Sequence, residues 1–264
     1  MNNAASGQLV IVGFGIQLGR HLTQRAINEI AAADRVVCLV DPLALAHLKS
    51  LRPDVISLHT LYGDNKDRRQ TYREMEAAMV EPVRAGQKVC AVFYGHPGVF
   101  ADAPHGAIRT LRSEGLPARM EAGISAEACL YADLNIDPGR SGTQSMAATQ
   151  FLFFERPLDP TALLLLWQVG LVGDTTCKLF TTTSERLAAL ASKLMRWHPP
   201  EHEVILYEAS QVAIAAHRAE RLPLSRLHEA STTEITTLVI PPSRKLAPDW
   251  AALASLGLSE EALR

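Results

Sequence analysis

Apolar residues fall into short runs separated by clusters of Gly, Pro, Asp and Asn, with stretches of helical periodicity between them. Residues 8–12 and 89–93 are continuous β-branched and aliphatic runs, the pattern of parallel strands covered on both faces. Runs at 35–40, 55–58 and 118–121 predict three more strands. Between them, 21–32 places Leu22, Ala26, Ile27 and Ile30 on one face, and 68–84 reads as a helix closed by Gly86, with Pro82 placed to kink it. A further helical pattern begins near Ala101 and runs to Ser113. Strand, helix, strand in this order favours a parallel sheet with right-handed crossovers. A polar break, Asp137-Pro138-Gly139 followed by Ser141-Gly142, divides the chain into an N-terminal lobe, 1–140, and a C-terminal lobe, 141–264. Beyond it 151–154, 163–169, 203–207 and 236–240 are strand-like, and helical patterns remain only near 179–197 and at the end. Thr182-x-x-Glu185 forms a capping box for the former. Fewer crossover helices predict a mixed sheet.

Composition narrows the function classes. With 264 residues the chain can bury a sizeable core; net charge is −2, with 20% charged and 47% apolar residues, and no basic excess suggests a nucleic-acid partner. Cys38, Cys90, Cys129 and Cys177 are scattered and form no Cys-x-x-Cys pair, so they read as reduced residues rather than a zinc site or disulfide frame. Residues 1–7 lack a basic start and an apolar signal core, and no 18 apolar residues run together, which predicts a soluble cytoplasmic protein without membrane attachment. The histidines are dispersed, without metal-ligand spacing, so no metal is expected.

Candidate chemistry lies in the turns. Tyr94-Gly95-His96-Pro97-Gly98-Val99-Phe100 follows the apolar run 89–93, where an α/β sheet leaves backbone N–H groups free for a ligand; an ordinary tight connection is the alternative. Gly13-Phe14-Gly15 continues to Leu18-Gly19, so the dinucleotide spacing Gly-x-Gly-x-x-Gly is absent. Gly123 ends a strand, Ser125 is placed as an N-cap, and Glu127 sits in the first helical turn. Arg68 and Tyr72, spaced i and i+4, share a helix face. A cation beside a phenol favours the phenolate, so the pair could hold a general base or stabilise an oxyanion, or be an incidental surface contact.

Taken together, Phe93-Tyr94-Gly95-His96-Pro97-Gly98-Val99-Phe100, Gly123-Ile124-Ser125-Ala126-Glu127, Tyr131-Ala132-Asp133-Leu134 and Ile240-Pro241-Pro242 resemble the tetrapyrrole methylase superfamily, and within it most closely the borosin peptide α-N-methyltransferases. The resemblance runs from about Leu9 to Lys245. It implies a two-lobed α/β fold, with a mostly parallel N-terminal sheet, a mixed C-terminal sheet and S-adenosylmethionine bound in the cleft between. It also implies iterative methylation of peptide backbone amides, with S-adenosylhomocysteine as product, by a homodimer or by a heterotetramer once two precursor chains are bound. Fused members carry their own substrate peptide in a C-terminal extension; the chain ends at Arg264 without one, so a split type acting on a separate precursor peptide is expected. A methyltransferase of the same superfamily acting on a tetrapyrrole or other small molecule is the alternative. By motif, Tyr94, His96, Val99, Phe100, Ser125, Ala126, Gln168, Ala209, Thr236 and Thr237 match cofactor-contacting positions. Arg68 and Tyr72 match the Arg and Tyr of the methyl-acceptor site. The family's other catalytic Tyr lies nine positions before that Arg, a place held here by His59; Tyr62, six before, is the expected equivalent if the loop is shortened, with His59 the rival.

Overall fold

In the computed structural model, which describes residues 7–263, the first apolar run is strand β1 (Gln8–Gly15), buried at every residue but the first. Helix α1 (Gln24–Ala32) starts later than residue 21. His21 is drawn into the preceding turn, its Nδ1 accepting the N–H groups of Ile16 and Gln17 at 3.2 and 3.1 Å, and Thr23 caps the helix. After β2 (Arg35–Leu39) comes a helix that the sequence patterns did not predict, α2 (Pro42–Leu51). Asp41 accepts the N–H groups of Leu43 and Ala44, and Pro42 sits in the first turn, where its missing N–H costs nothing.

Next come β3 (Ile56–Ser57), a 3-10 turn (Leu58–Leu61), α3 (Arg68–Arg84), β4 (Lys88–Tyr94), α4 (Asp102–Ser113), β5 (Ala118–Met120) and α5 (Ala126–Asp133). α3 continues through Pro82 as one helix and closes at Gly86, whose φ of +88° suits only glycine. The strands form one parallel sheet in the order β3-β2-β4-β1-β5, with Leu9 opposite both Val89 and Ala118. Alternation along β1 sends Leu9 and Ile11 to a core with Met75, Met79 and Val83 of α3 and Leu111 of α4. Val10 and Val12 meet Ile30 and Leu48 on the opposite face.

The later elements are β6 (Thr143–Ala147), α6 (Ala148–Phe153), β7 (Leu163–Trp167), α7 (Ser184–Leu194), β8 (Glu203–Glu208), β9 (Arg218–Pro223), β10 (Thr237–Ile240) and α8 (Trp250–Ser255). Their sheet, ordered β6-β7-β10-β8-β9, is mixed as expected: β6 runs parallel to β7, and β10 antiparallel to it. Residues 151–154, predicted as a strand, instead end helix α6. Phe151 is buried in the core while Phe153 and Phe154 are exposed, so this apolar run has only one buried side. The helix predicted over 179–197 begins at Ser184 and is capped by Thr183, not Thr182, so Glu185 falls at the second helical position instead of the third.

The chain divides into two units. The first comprises the chain to Ile136 with Asp174–Thr182 and Tyr207–Glu220, and the second Asp137–Gly173, Thr183–Leu206 and the chain from Arg221. Among the described residues no helix is long and apolar enough to cross a membrane.

The second unit carries an acid-sensitive residue. His198 is 2% exposed, neither ring nitrogen has a partner among the described residues, and the ring stacks on His202 at 5.2 Å. Burial, reinforced by His202 and Arg244, pulls its pKa down to about 4. The unfolded chain therefore binds this proton first. The stability tied to the neutral ring is complete above the ordinary histidine value and is lost as pH falls from there toward 4. The loss is on the order of 2 kcal/mol. Thermal unfolding midpoints should drop across that window in the wild type, and His198→Phe should flatten the drop.

Candidate active site

Three of the residues singled out by spacing and motif meet at the start of α3. Asp67 caps the helix by accepting the Arg69 N–H at 2.8 Å, which places Arg68 and Tyr72 one turn apart on the same side. Tyr62, just past the 3-10 turn, packs with Tyr72 at the edge of the core, close enough for each phenol to act on the other's ionisation. His59, the rival position, lies beside Tyr62 with ring centroids 5.6 Å apart. Phe180 closes the group: its ring stands edge-on to Tyr62 at 6.0 Å and under the Arg68 guanidinium at 5.2 Å.

Arg68 is tied to the segment Asp174–Thr182. Its backbone N–H donates to the Cys177 carbonyl at 2.9 Å, Nη1 donates to the Leu179 carbonyl, and Nη2 donates to Asp174 Oδ2 at 3.2 Å. The Asp174 side chain is 1% exposed. Burial raises its pKa, but the hydrogen bonds from Thr176 and Leu179 together with Arg68 outweigh burial and leave it below the usual carboxylate range.

The electrostatics of the phenols differ from the expectation of a phenol made more acidic by Arg68. Burial comes first for both and pushes Tyr62 up to about 12 and Tyr72 above the ordinary phenol value. Arg68 does pull both down, but desolvation wins. The two phenols also act on each other, favouring the protonated form of Tyr62 and the ionised form of Tyr72.

The second group gathers where β1, β4 and β5 end. Gly15 and Gly95 exchange backbone hydrogen bonds at 3.1 and 3.0 Å. A Cβ on Gly13 would lie 2.4 Å from the Gly95 carbonyl oxygen and 2.9 Å from Gly123 Cα, so three strand-end turns touch backbone to backbone. Tyr94 leads into this contact; burial pushes its pKa up to about 12, with Gln211 acting against that rise. His96 folds back, Nδ1 accepting the Gly98 N–H at 3.0 Å, while Val99 and Phe100 are exposed. Ser125 caps α5 by accepting the Ala128 N–H, with Ala126 the first helical residue. Beside this turn lies a pocket of about 400 Å³ lined by Gln17, His21, Ile124, Cys129, Asp133 and Ala209, among others. Asp133 is anchored there by the Tyr207 hydroxyl, which donates to Oδ2 at 2.7 Å.

In the second unit, Gln168, Thr236 and Thr237 come together. Gln168 adopts a left-handed conformation (φ 56°) after β7, and the next residue, Val169, donates its N–H to the Thr236 carbonyl at 3.1 Å. Thr236 and Thr237 are buried at the start of β10, with the Thr236 hydroxyl accepting the Thr233 N–H at 2.7 Å.

Residues 8–247 match the family model of the tetrapyrrole (corrin/porphyrin) methylases. The chain belongs to that family. Within it this methylase is of the borosin type. It is 38% identical over 269 residues to a methyltransferase/ribosomally synthesized type I borosin cyclic peptide precursor of Coprinopsis marcescibilis, covering 98% of this chain and 68% of that protein. It is 35% identical to the gymnopeptide precursor of Gymnopus fusipes and 34% to the omphalotin A precursor of Omphalotus olearius, both also named as methyltransferases, over 96% of this chain. The chain spans 61% and 62% of the length of those two proteins. Among solved structures, the uroporphyrin-III-C-methyltransferase of Thermus thermophilus superposes with a TM-score of 0.65 at 17% identity, covering 97% of this chain and 98% of that one. At that identity the likeness shows the fold.

Asp174, Phe180 and Gln211 of this methylase were missed by spacing and motif, and Asp133 stands in the Tyr131-Ala132-Asp133-Leu134 motif without an assigned role. Asp174-Thr175-Thr176 does carry a local signal, since an Asp followed by Thr two positions on is apt to bond that residue's N–H. Nothing local, however, links it to Arg68, 106 residues away.

Proposed function

We propose that this borosin-type methylase transfers methyl groups from S-adenosylmethionine to backbone amide nitrogens of a separate precursor peptide, iteratively, as a cytoplasmic homodimer that binds two precursor chains. The observation that carries the reading is the packing of Tyr62 and Tyr72 at the edge of the core beside Arg68, whose guanidinium is held by Leu179, Asp174 and Phe180. An amide nitrogen is a poor nucleophile because its lone pair is delocalised into the carbonyl, so its proton must be removed while charge gathers on oxygen. The names of the relatives, which pair a methyltransferase with a ribosomally synthesized cyclic peptide precursor, support a peptide acceptor.

The residues present fit the cofactor. The pocket beside Ser125 combines apolar walls, Ile124, Ala128, Ala132 and Ala209, with polar groups on Gln17, Asp133 and Ser210, a lining suited to a nucleoside. Tyr94, His96, Val99, Phe100, Ser125, Ala126 and Ala209 are proposed to hold it; Gln168, Thr236 and Thr237 are cofactor positions by family motif alone. When bound, S-adenosylmethionine supplies an electrophilic methyl group on a sulfonium.

At the acceptor, a tyrosine takes the amide proton. Burial reduces the fraction of phenolate but makes each phenolate a stronger base, which a peptide N–H, far less acidic than a phenol, requires. Tyr72 is the proposed base, because Arg68 and Tyr62 both favour its anion, whereas Tyr72 opposes ionisation of Tyr62. Arg68 uses two of its five N–H groups on Leu179 and Asp174, and the others can hydrogen-bond the developing imidate oxygen.

The test is intact mass of the peptide encoded beside this gene after incubation with the protein and S-adenosylmethionine. Successive gains of one methyl, located by fragmentation on backbone amides, are expected. An unchanged mass, with cofactor binding confirmed by calorimetry, would refute the peptide acceptor and move the search to tetrapyrrole-like small molecules.

A further inference from the structure

We propose that Asp174 is the positioning residue for Arg68, and that the segment Asp174–Thr182 is the strap through which it fixes the guanidinium against Tyr62 and Tyr72; the role rests on the methyl-transfer reading. The strap is organised around the carboxylate. Asp174 Oδ1 accepts the Thr176 N–H at 2.8 Å and the Thr176 hydroxyl at 2.7 Å, and Oδ2 accepts the Leu179 N–H at 3.1 Å. Arg68 Nη2 completes the set at 3.2 Å. Every partner of this buried carboxylate is therefore either the strap itself or Arg68.

The consequence for Arg68 is geometric. A guanidinium on a flexible stem has its plane fixed only when contacts act on separate parts of it. Here Nη2 is held by Asp174, Nη1 by the Leu179 carbonyl, and one face by the Phe180 ring. The same ring touches Tyr62, so the strap sets the guanidinium and one phenol together. The strap also balances charge. The groups acting on the two phenols are Arg68, Asp102, Cys177 and each other, with the ring contact of His59 at Tyr62. Arg68 is the cation of that set, and Asp174 offsets it at contact distance. Removing the carboxylate frees the guanidinium's field to act on the phenols.

The readout requires neither cofactor nor peptide. Phenolate absorbance near 295 nm is titrated in the wild type, in Asp174→Asn and in Asp174→Asn combined with Arg68→Met, with circular dichroism to confirm folding. With Nη1 still on the Leu179 carbonyl and one face on Phe180, the guanidinium in Asp174→Asn stays beside the phenols uncompensated, so one phenol midpoint should fall by about one pH unit, and the added Arg68→Met should restore it. Unchanged midpoints in folded Asp174→Asn overturn the proposal, since a purely structural Asp174 would leave the phenols where they were. Should Asp174→Asn not fold, the converse decides: Arg68→Met alone should speed tryptic cleavage after the exposed Lys178 by at least tenfold, read by mass. Equal cleavage rates overturn the proposal. If the midpoints and cleavage behave as expected but no peptide is methylated, the positioning stands and the acceptor assignment is at fault.

Discussion

Arg68→Met should slow methyl transfer about 10³-fold, and Tyr72→Phe by a comparable factor, while affinity for S-adenosylmethionine changes by less than about threefold. The separation follows from the layout. Both residues sit on the first turn of α3, and neither lines the pocket that holds Ala209. Arg68→Lys should be nearly as damaging as Arg68→Met, because a single ammonium cannot reproduce a planar fork with nitrogens on both Asp174 and Leu179. Tyr62→Phe distinguishes the phenols. If Tyr72 is the base, removing the Tyr62 hydroxyl costs less, since it deletes a group beside the base and leaves the base in place. Single-turnover rates by mass, set beside calorimetric cofactor binding, decide the matter. Parallel loss of rate and cofactor affinity in Arg68→Met and Tyr72→Phe would remove these residues from the chemistry.

Gly13→Ala should be a severely damaging single-carbon change at the strand-end turns. The added Cβ would sit 2.4 Å from the Gly95 carbonyl oxygen, 2.9 Å from Gly123 Cα and 3.0 Å from Pro97 Cδ. Two of those atoms belong to backbone, and the third to a proline ring, so none can swing aside like the end of a flexible side chain. Overpacking of this kind costs about 3 kcal/mol. The turns must separate to admit the carbon, which displaces Tyr94, His96 and Ser125 together, and cofactor affinity should fall at least about tenfold. Thermal unfolding and calorimetry on the same preparation measure both. A variant that melts with the wild type and binds normally would mean that the three turns do not touch.

What could be read from residue pattern, and what could not, follows from where the information resides. The run 89–93 and the glycines after it were legible because a parallel strand covered on both faces must be continuously apolar and its turn must break sharply. The edge strands β6 and β9 were not: Thr143–Ala147 has only partly buried or exposed residues, and Arg218–Pro223 carries two arginines and a glutamate, so neither shows an apolar run. Four apolar residues at 151–154 suit a strand or a helix equally, and only the exposure of Phe153 and Phe154 separates the two. At the start of α3, the helical repeat showed that Arg68 and Tyr72 are neighbours, while the family spacing pointed to His59 and reached Tyr62 only by supposing a shortened loop. Local spacing could not show that burial would dominate the phenols, nor that a carboxylate from another part of the chain would occupy the guanidinium.

That long separation between Arg68 and Asp174 also dictates the order in which the site is born. Ribosomes add roughly 5–20 residues each second. The 106 residues between the two partners therefore take on the order of ten seconds to synthesise. All five strands of the parallel sheet lie within the chain to Met120, so they can emerge and pair before Asp174 exists. Through that interval Arg68 lacks its carboxylate, and the nascent sheet carries a guanidinium that has yet to find its bearing.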